Sequence, residues 1–142
     1  MIVLDTNVVS ELMKAAPAQS VTDWLDAQPV SDLWLTSVTV AELMYGVARL
    51  PKGRRRTAVA SAIAEMINED FAGRIHDFDA AAAHRYGEIV VRRETLGRPI
   101  SMADAEIAAI CHVHGATLAT RNTNDFADTG IALRDPWQHP VG

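Results

Sequence analysis

Ile2-Val3-Leu4 is an unbroken apolar run that stops abruptly on an acid, Asp5. A strand apolar on both faces belongs inside a sheet covered on both sides. Leu33-Trp34-Leu35-Thr36, Ile75-His76-Asp77-Phe78, Ala116-Thr117-Leu118-Ala119-Thr120 and Ile131-Ala132-Leu133 read as further short strands. Between them lie segments with helical spacing. The first is capped by Thr6 or Asn7, runs to about Lys14 and is ended by Pro17. The second carries Val21, Trp24, Leu25 and Gln28 on one face. Thr39 is expected to open a third with Leu43, Val47 and Leu50 inward, closed by Pro51. A basic run from Lys52 to Arg56 precedes a helix expected over 57–71. The next, from Asp79 to about Leu96, turns Ala82, Tyr86, Ile89 and Val90 inward. Ser101 caps the last, which buries Ala103, Ile107, Ile110 and Cys111 and stops at Gly115. This alternation predicts an α/β domain, a mainly parallel sheet with helices on both faces.

In such a sheet ligands sit beyond the C-terminal ends of the strands. Four acids, Asp5, Glu42, Asp104 and Asp125, are candidates to meet there. Each of the last three also fits a local role. Thr39-x-x-Glu42 matches a capping box, and Ser101-x-x-Asp104 and Asn122-x-x-Asp125 resemble one. The helix dipole favours an acid in a first turn in any case. Asp5 is different, because a carboxylate at the end of a doubly buried strand loses hydration and has no basic neighbour in sequence. Either a bound cation or a capping role toward Asn7 supplies the partner. Carboxylates without paired His or Cys suit hard cations such as Mg2+ or Mn2+ rather than zinc. Sites of that kind cleave or transfer phosphoryl groups.

Composition narrows the class. At 142 residues, with 49% hydrophobic and 22% charged, the chain is long enough for one domain with a real core. A net charge of −5 counts against a generic nucleic-acid binder with a basic face. Cys111 is the only cysteine, so an intrachain disulfide is excluded and a reducing, cytoplasmic setting is expected. Asp5 interrupts the apolar start, so neither a signal peptide there nor a membrane span is expected. The histidines His76, His84, His112, His114 and His139 show no metal spacing and read as surface or packing residues. Core packing is expected for Met44 and Tyr45 ahead of the alternative, a partner or dimer face shared with Val47 and Leu50. Lys52, Arg54, Arg55, Arg56, Arg92, Arg93 and Arg98 fit solvated faces at least as well as an RNA backbone contact. Arg121 is the better candidate for a phosphate contact.

Val3-Leu4-Asp5-Thr6-Asn7 resembles the opening of PIN-domain ribonucleases, in particular VapC-type toxins of toxin–antitoxin pairs. Thr36-Ser37-Val38-Thr39-Val40-Ala41-Glu42-Leu43, Ala103-Asp104-Ala105-Glu106-Ile107-Ala108-Ala109 and Leu118-Ala119-Thr120-Arg121-Asn122-Thr123-Asn124-Asp125-Phe126 resemble the later motifs of that family, in order. Trp24-Leu25 and Pro136-Trp137 point to its FitB-like branch. The resemblance implies a three-layer α/β/α PIN-like domain over residues 1–137, with a five-stranded, mainly parallel sheet and a C-terminal tail over 138–142. It implies hydrolysis of RNA to 5′-phosphate and 3′-hydroxyl ends with Mg2+ or Mn2+. Asp5, Glu42, Asp104 and Asp125 would be catalytic, with Asp5, Asp104 and Asp125 on the metal. Thr6, Ser37, Asn122 and Arg121 would position water or substrate. Some relatives carry an acid where this chain has Asn122, so the fourth active-site group is either Asn122 or Asp125. Implied partners are RNA, a VapB-type antitoxin and a second copy of the chain, with higher assembly on the antitoxin.

Two rival readings remain. One is an α/β phosphatase-like enzyme with Asp5 as nucleophile. Against it, Asn7 stands where one phosphatase family needs a second acid. The other is a PIN-like domain that only binds a partner, against which the retention of all four acids counts.

Overall fold

The computed structural model describes residues 1–141. The strands β1 (Ile2–Leu4), β2 (Leu33–Thr36), β3 (Ile75–His76), β4 (Thr117–Ala119) and β5 (Ala132–Arg134) form one sheet in the order β3-β2-β1-β4-β5. All pairings are parallel. The helices are α1 (Thr6–Leu12), α2 (Gln19–Asp26), α3 (Ser37–Arg49), α4 (Arg54–Glu65), α5 (Ala80–Thr95) and α6 (Met102–His114). They cover both faces, which gives the expected α/β/α layering with a five-stranded sheet.

The pleat of the central strands divides the core. Val3 and Leu118 point to one side, where they meet Ala82 and Ile89 of α5 and Ile107, Ala108 and Ile110 of α6. Leu4, Leu35 and Ala119 point to the other, against Val8 and Val9 of α1, Val21 and Trp24 of α2, Leu43 and Val47 of α3, and Ile63 of α4. β1 and β4 carry no exposed face, which is why both read as continuous apolar runs. Cys111 is fully buried on the α6 side, and burial pushes its thiol up to about 12. It is packing, not a reactive group. Gly115, at φ 61, stops α6 in the left-handed conformation that a C-terminal glycine supplies.

Several elements begin elsewhere than expected. Asp5 itself caps α1, and the helix ends at Leu12. Thr36, not Thr39, caps α3: its hydroxyl accepts the Thr39 N–H at 3.1 Å. Thr36 is fully buried at the end of β2, so no water competes for that bond. Glu42 is thereby moved to mid-helix and out of the capping role. α4 starts inside the basic run, at Arg54, and gives way after Glu65 to one π-turn over Met66–Asp70. On α5, Tyr86 and Val90 are only half-buried, as is Ala103 on α6. Met44 and Tyr45 are 43% and 63% exposed on α3, so core packing is excluded for them. His76 stacks between Trp34 and His114, with ring centroids 4.2 and 3.7 Å away. No helix among the described residues is long and apolar enough to cross a membrane.

Arg93 departs furthest from its expected solvated role, at 4% exposed. Its guanidinium donates to the carbonyls of Arg98, Asp125 and Ala127 at 2.6, 2.7 and 3.0 Å. A buried cation is tolerated because three acceptors replace its water. It clasps the turn after β4 onto α5. The cap of α3 gives a direct test. Thr36→Ala is expected to lower unfolding stability by about 1–2 kcal/mol in urea titration. A loss indistinguishable from zero would place the cap on another residue.

Candidate active site

Sheet order reverses at β1, which has β2 on one side and β4 on the other. That is the switch point at which open α/β sheets place a crevice. Asp5 stands at its mouth, 6% exposed. Its Oδ1 accepts the Thr6 N–H at 2.8 Å, and its Oδ2 accepts the Thr120 hydroxyl at 2.7 Å and the Asn7 amide at 3.3 Å. Asn7 donates to Thr120 Oγ1 as well, at 3.3 Å, and its own Oδ1 accepts the Arg121 N–H at 3.3 Å. Thr120 Oγ1 accepts the Asn122 N–H at 3.1 Å. The turns after β1 and β4 are thus laced together around one carboxylate, which holds capping and site roles at once.

Glu42 reaches the same place from α3. Its Oε1 accepts the Thr6 hydroxyl at 2.6 Å, and Thr6 Oγ1 lies 3.3 Å from Thr39 Oγ1. Asp104 arrives from the first turn of α6, where the Ser101 hydroxyl accepts its backbone N–H at 3.2 Å. Asp5, Glu42 and Asp104 together line a cavity of about 450 Å³, joined by Thr6, Asn122 and Arg121. Asp125 is exposed at the margin and does not line that cavity, though its charge reaches Asp5 and Asp104. Asn122 does line it. The Ser37 hydroxyl accepts the Phe78 N–H at 3.3 Å and ties α3 to the segment after β3. Its described hydrogen bond does not involve the acids.

The electrostatics follow from this crowding. Burial raises the Asp5 carboxyl above its ordinary value, and the charges of Glu42 and Asp125 add to the effect; the Thr120 and Thr6 bonds oppose it. Asp104 is pushed up to about 6, first by burial, then by the charge on Asp5, with Asp125 and Glu42 contributing less. Among the described residues, none of the ion pairs involves Asp5, Glu42, Asp104 or Asp125. The one carboxylate of the wall that has a cation is Glu11, which binds Lys14 at 3.0 Å and the Ala18 N–H at 3.1 Å. The Lys14 bond, with that of Ala18, lowers its pKa.

A PIN domain family profile matches residues 2–132. The chain belongs to the PIN-domain family. It is 42% identical over 138 residues to the VapC ribonuclease Y4jK of Sinorhizobium fredii, across 97% of this chain and 99% of that relative. It is 40% identical over 137 residues to toxin FitB of Neisseria gonorrhoeae, across 96% of this chain and 99% of that one. A solved structure of FitAB bound to an IR36 DNA fragment superposes with a TM-score of 0.92 at 38% identity, over 99% of this chain and 98% of that one. These likenesses agree with the PIN-type and FitB-like features read from the motifs.

The PIN-domain pocket suits a hard cation by donor type. Among the described residues no three His, Cys, Asp or Glu side chains stand close enough together to hold one metal ion between them. Magnesium does not require three, since it keeps several waters and takes few carboxylates. Two acids with raised pKa and no described ion pair fit a site that gains from such an ion.

Sequence reasoning passed over Thr120, Asn7 and Glu11 as site-building residues. A hydroxyl at the very end of β4 was the available signal for Thr120. The raised pKa of Asp104 has a measurable consequence in metal-free buffer. The folded protein binds this proton more readily than the unfolded chain, so this group adds stability as pH falls from about 6 toward 3.8. Asp104→Asn is therefore expected to melt above the parent chain at pH 8, with the excess vanishing near pH 4. A constant difference across that range would contradict the shift.

Proposed function

We propose that this PIN-domain chain is a Mg2+- or Mn2+-dependent endoribonuclease, acting as the toxin of a type II toxin–antitoxin pair and held inactive by a VapB-type antitoxin. The observation that carries the reading is the meeting of Asp5, Glu42 and Asp104 in one crevice, where none of the described ion pairs involves them. The ribonuclease and toxin names of its relatives support it. A homodimer that assembles further on the antitoxin, in the cytoplasm, completes the proposal. The exposed Met44 and Tyr45 on α3 are apolar surface available to a partner.

Asp5 and Asp104 would hold the cation, which would supply Lewis-acid activation of water and phosphate, while Asp125, outside the cavity, would add only its charge from the rim. The remaining work falls to the chain's own groups. Three donors fix the Asp5 carboxylate, so its oxygens keep one orientation while substrate comes and goes. Thr6 pins Glu42 by a 2.6 Å bond, which points that acid at the cavity to orient water. Asn122, with an amide that both donates and accepts, is placed to orient the water or a phosphate oxygen. Ser37 steadies the start of α3. In the reaction, water oxygen bonds to phosphorus and the bond from phosphorus to the 3′ oxygen breaks.

Two measurements test this. Asp5→Asn and Asp104→Asn should each cut manganese-dependent cleavage of total RNA by more than the roughly 10–100-fold typical of outer-shell changes at metal sites. Circular dichroism should show both variants folded. Full activity in both would remove the assignment. Millimolar Mn2+ should also raise the melting temperature of the parent chain by mass action, and raise that of Asp104→Asn much less. Equal shifts in the two chains would put the ion elsewhere.

A further inference from the structure

The cavity that gathers the acids also carries an aromatic edge that the cleavage chemistry does not use. Trp137 and Arg121 line it beside Asp5 and Asp104. The Arg121 guanidinium lies over the Trp137 indole, 5.0 Å from the ring centroid. Trp137 belongs to a short 3-10 turn, Pro136–Gln138, and the Asp135 side chain accepts its backbone N–H at 2.9 Å. The turn packs on α2, and the ring is half-buried against the helices of that face. The indole is therefore fixed rather than loose.

Arg121 is held from the opposite side. Its backbone N–H is bound to Asn7, inside the network around Asp5. Its side chain is exposed, and among the described residues its guanidinium makes neither an ion pair nor a hydrogen bond. Lys14, the other cation of this wall, is paired with Glu11. Arg121 is thus the uncommitted cation of an acidic crevice, set over an aromatic ring and exposed to solvent.

Such a surface has a natural ligand. Unpaired bases stack on aromatic rings and on guanidinium planes, whereas bases inside a duplex already have their faces covered. A net charge of −5 also gives a polyanion no overall attraction to this chain. Stacking supplies affinity that the acidic crevice does not oppose. We propose that Arg121 and Trp137 form a stacking shelf for the unpaired base of a nucleotide flanking the scissile phosphate, so that the site selects single-stranded RNA. The proposal rests on the ribonuclease reading of the acidic crevice.

The test uses the full chain and a single-stranded oligoribonucleotide of about ten nucleotides. Binding is read by fluorescence anisotropy in EDTA, so that no cleavage intervenes. A series of oligonucleotides, each lacking one base, probes the shelf. In the parent chain, loss of one base near the cleavage point should weaken binding roughly tenfold. Trp137→Ala and Arg121→Ala should bind the intact oligonucleotide roughly tenfold more weakly and show almost no further loss at that abasic position. Trp137→Phe should keep most of the abasic penalty. In manganese-dependent cleavage by Trp137→Ala the loss should fall on KM and leave kcat nearly unchanged. An abasic penalty identical in the parent, Trp137→Ala and Arg121→Ala chains would overturn the shelf, as would a parent chain indifferent to every missing base. If Trp137→Ala unfolds, Arg121→Ala decides the same comparison. Base-dependent binding without cleavage under any divalent metal would uphold the shelf and sink the ribonuclease reading. Cleavage without base dependence would do the reverse.

Discussion

A carboxylate held at the end of the innermost strand, without a counter-charge, organises this molecule. Asp5 is placed by the covalent chain at the mouth of the β1–β4 crevice, where hydration is poor. Its negative charge is met by dipoles: an N–H of α1, a hydroxyl from the end of β4 and a side-chain amide two residues along. Hydrogen bonds to an ionised acceptor are stronger than neutral ones, so these contacts do more than satisfy an acid. They fix the register of α1 against the turn after β4. The stability of the switch point and the geometry of the site are one arrangement, because the same bonds serve both.

The turn after β4 is clamped from its other side by a charge of opposite sign. Arg93 lies under it, with carbonyls of Arg98, Asp125 and Ala127 as its acceptors. Arg98 adds a surface ion pair to Asp128 at 3.2 Å, with both partners near half exposed. An exposed pair of that kind adds little on its own. The buried guanidinium is what shapes the loop. It takes main-chain oxygens and leaves the Asp125 side chain outward, at the rim rather than in the wall. A cation behind the loop therefore orders an acidic site without neutralising it.

How far the sequence could be read depended on whether a residue's role was local. β1, β2, β4 and the end of α6 at Gly115 were legible because apolar runs and a C-terminal glycine act over a few residues. Asp5 was legible for the same reason, since burial followed from the three residues before it. The start of α3 was not. Thr36, Ser37 and Thr39 are all competent caps, and the choice fell to Thr36, which is fully buried at the end of β2. That choice decided the position of Glu42 on its helix. Arg93 was illegible in a stronger sense: with Arg92 beside it on α5, no pattern distinguishes the cation that goes inward. Trp137 was legible only as part of a family-like motif, because its partners, α2 and Arg121, are remote in sequence. β5, with two of its three residues exposed at a sheet edge, lay one residue from its expected place for want of a buried pattern.

The remaining question is how a fold stays intact with several acids facing one another. Part of the answer is the backbone. Asp5 caps α1 and Asp104 sits in the first turn of α6, so the positive ends of two helix dipoles point toward the crevice, each equivalent to roughly half a unit charge. Glu42, by contrast, lies in mid-helix and relies on one hydroxyl. The compensation is incomplete: the Asp104 carboxyl still stands at about 6. Fully compensated acids would bind nothing further, and uncompensated ones would unfold the turn that carries them. The backbone leaves these between the two limits, stable enough to hold their places and short of positive charge that an incoming cation supplies.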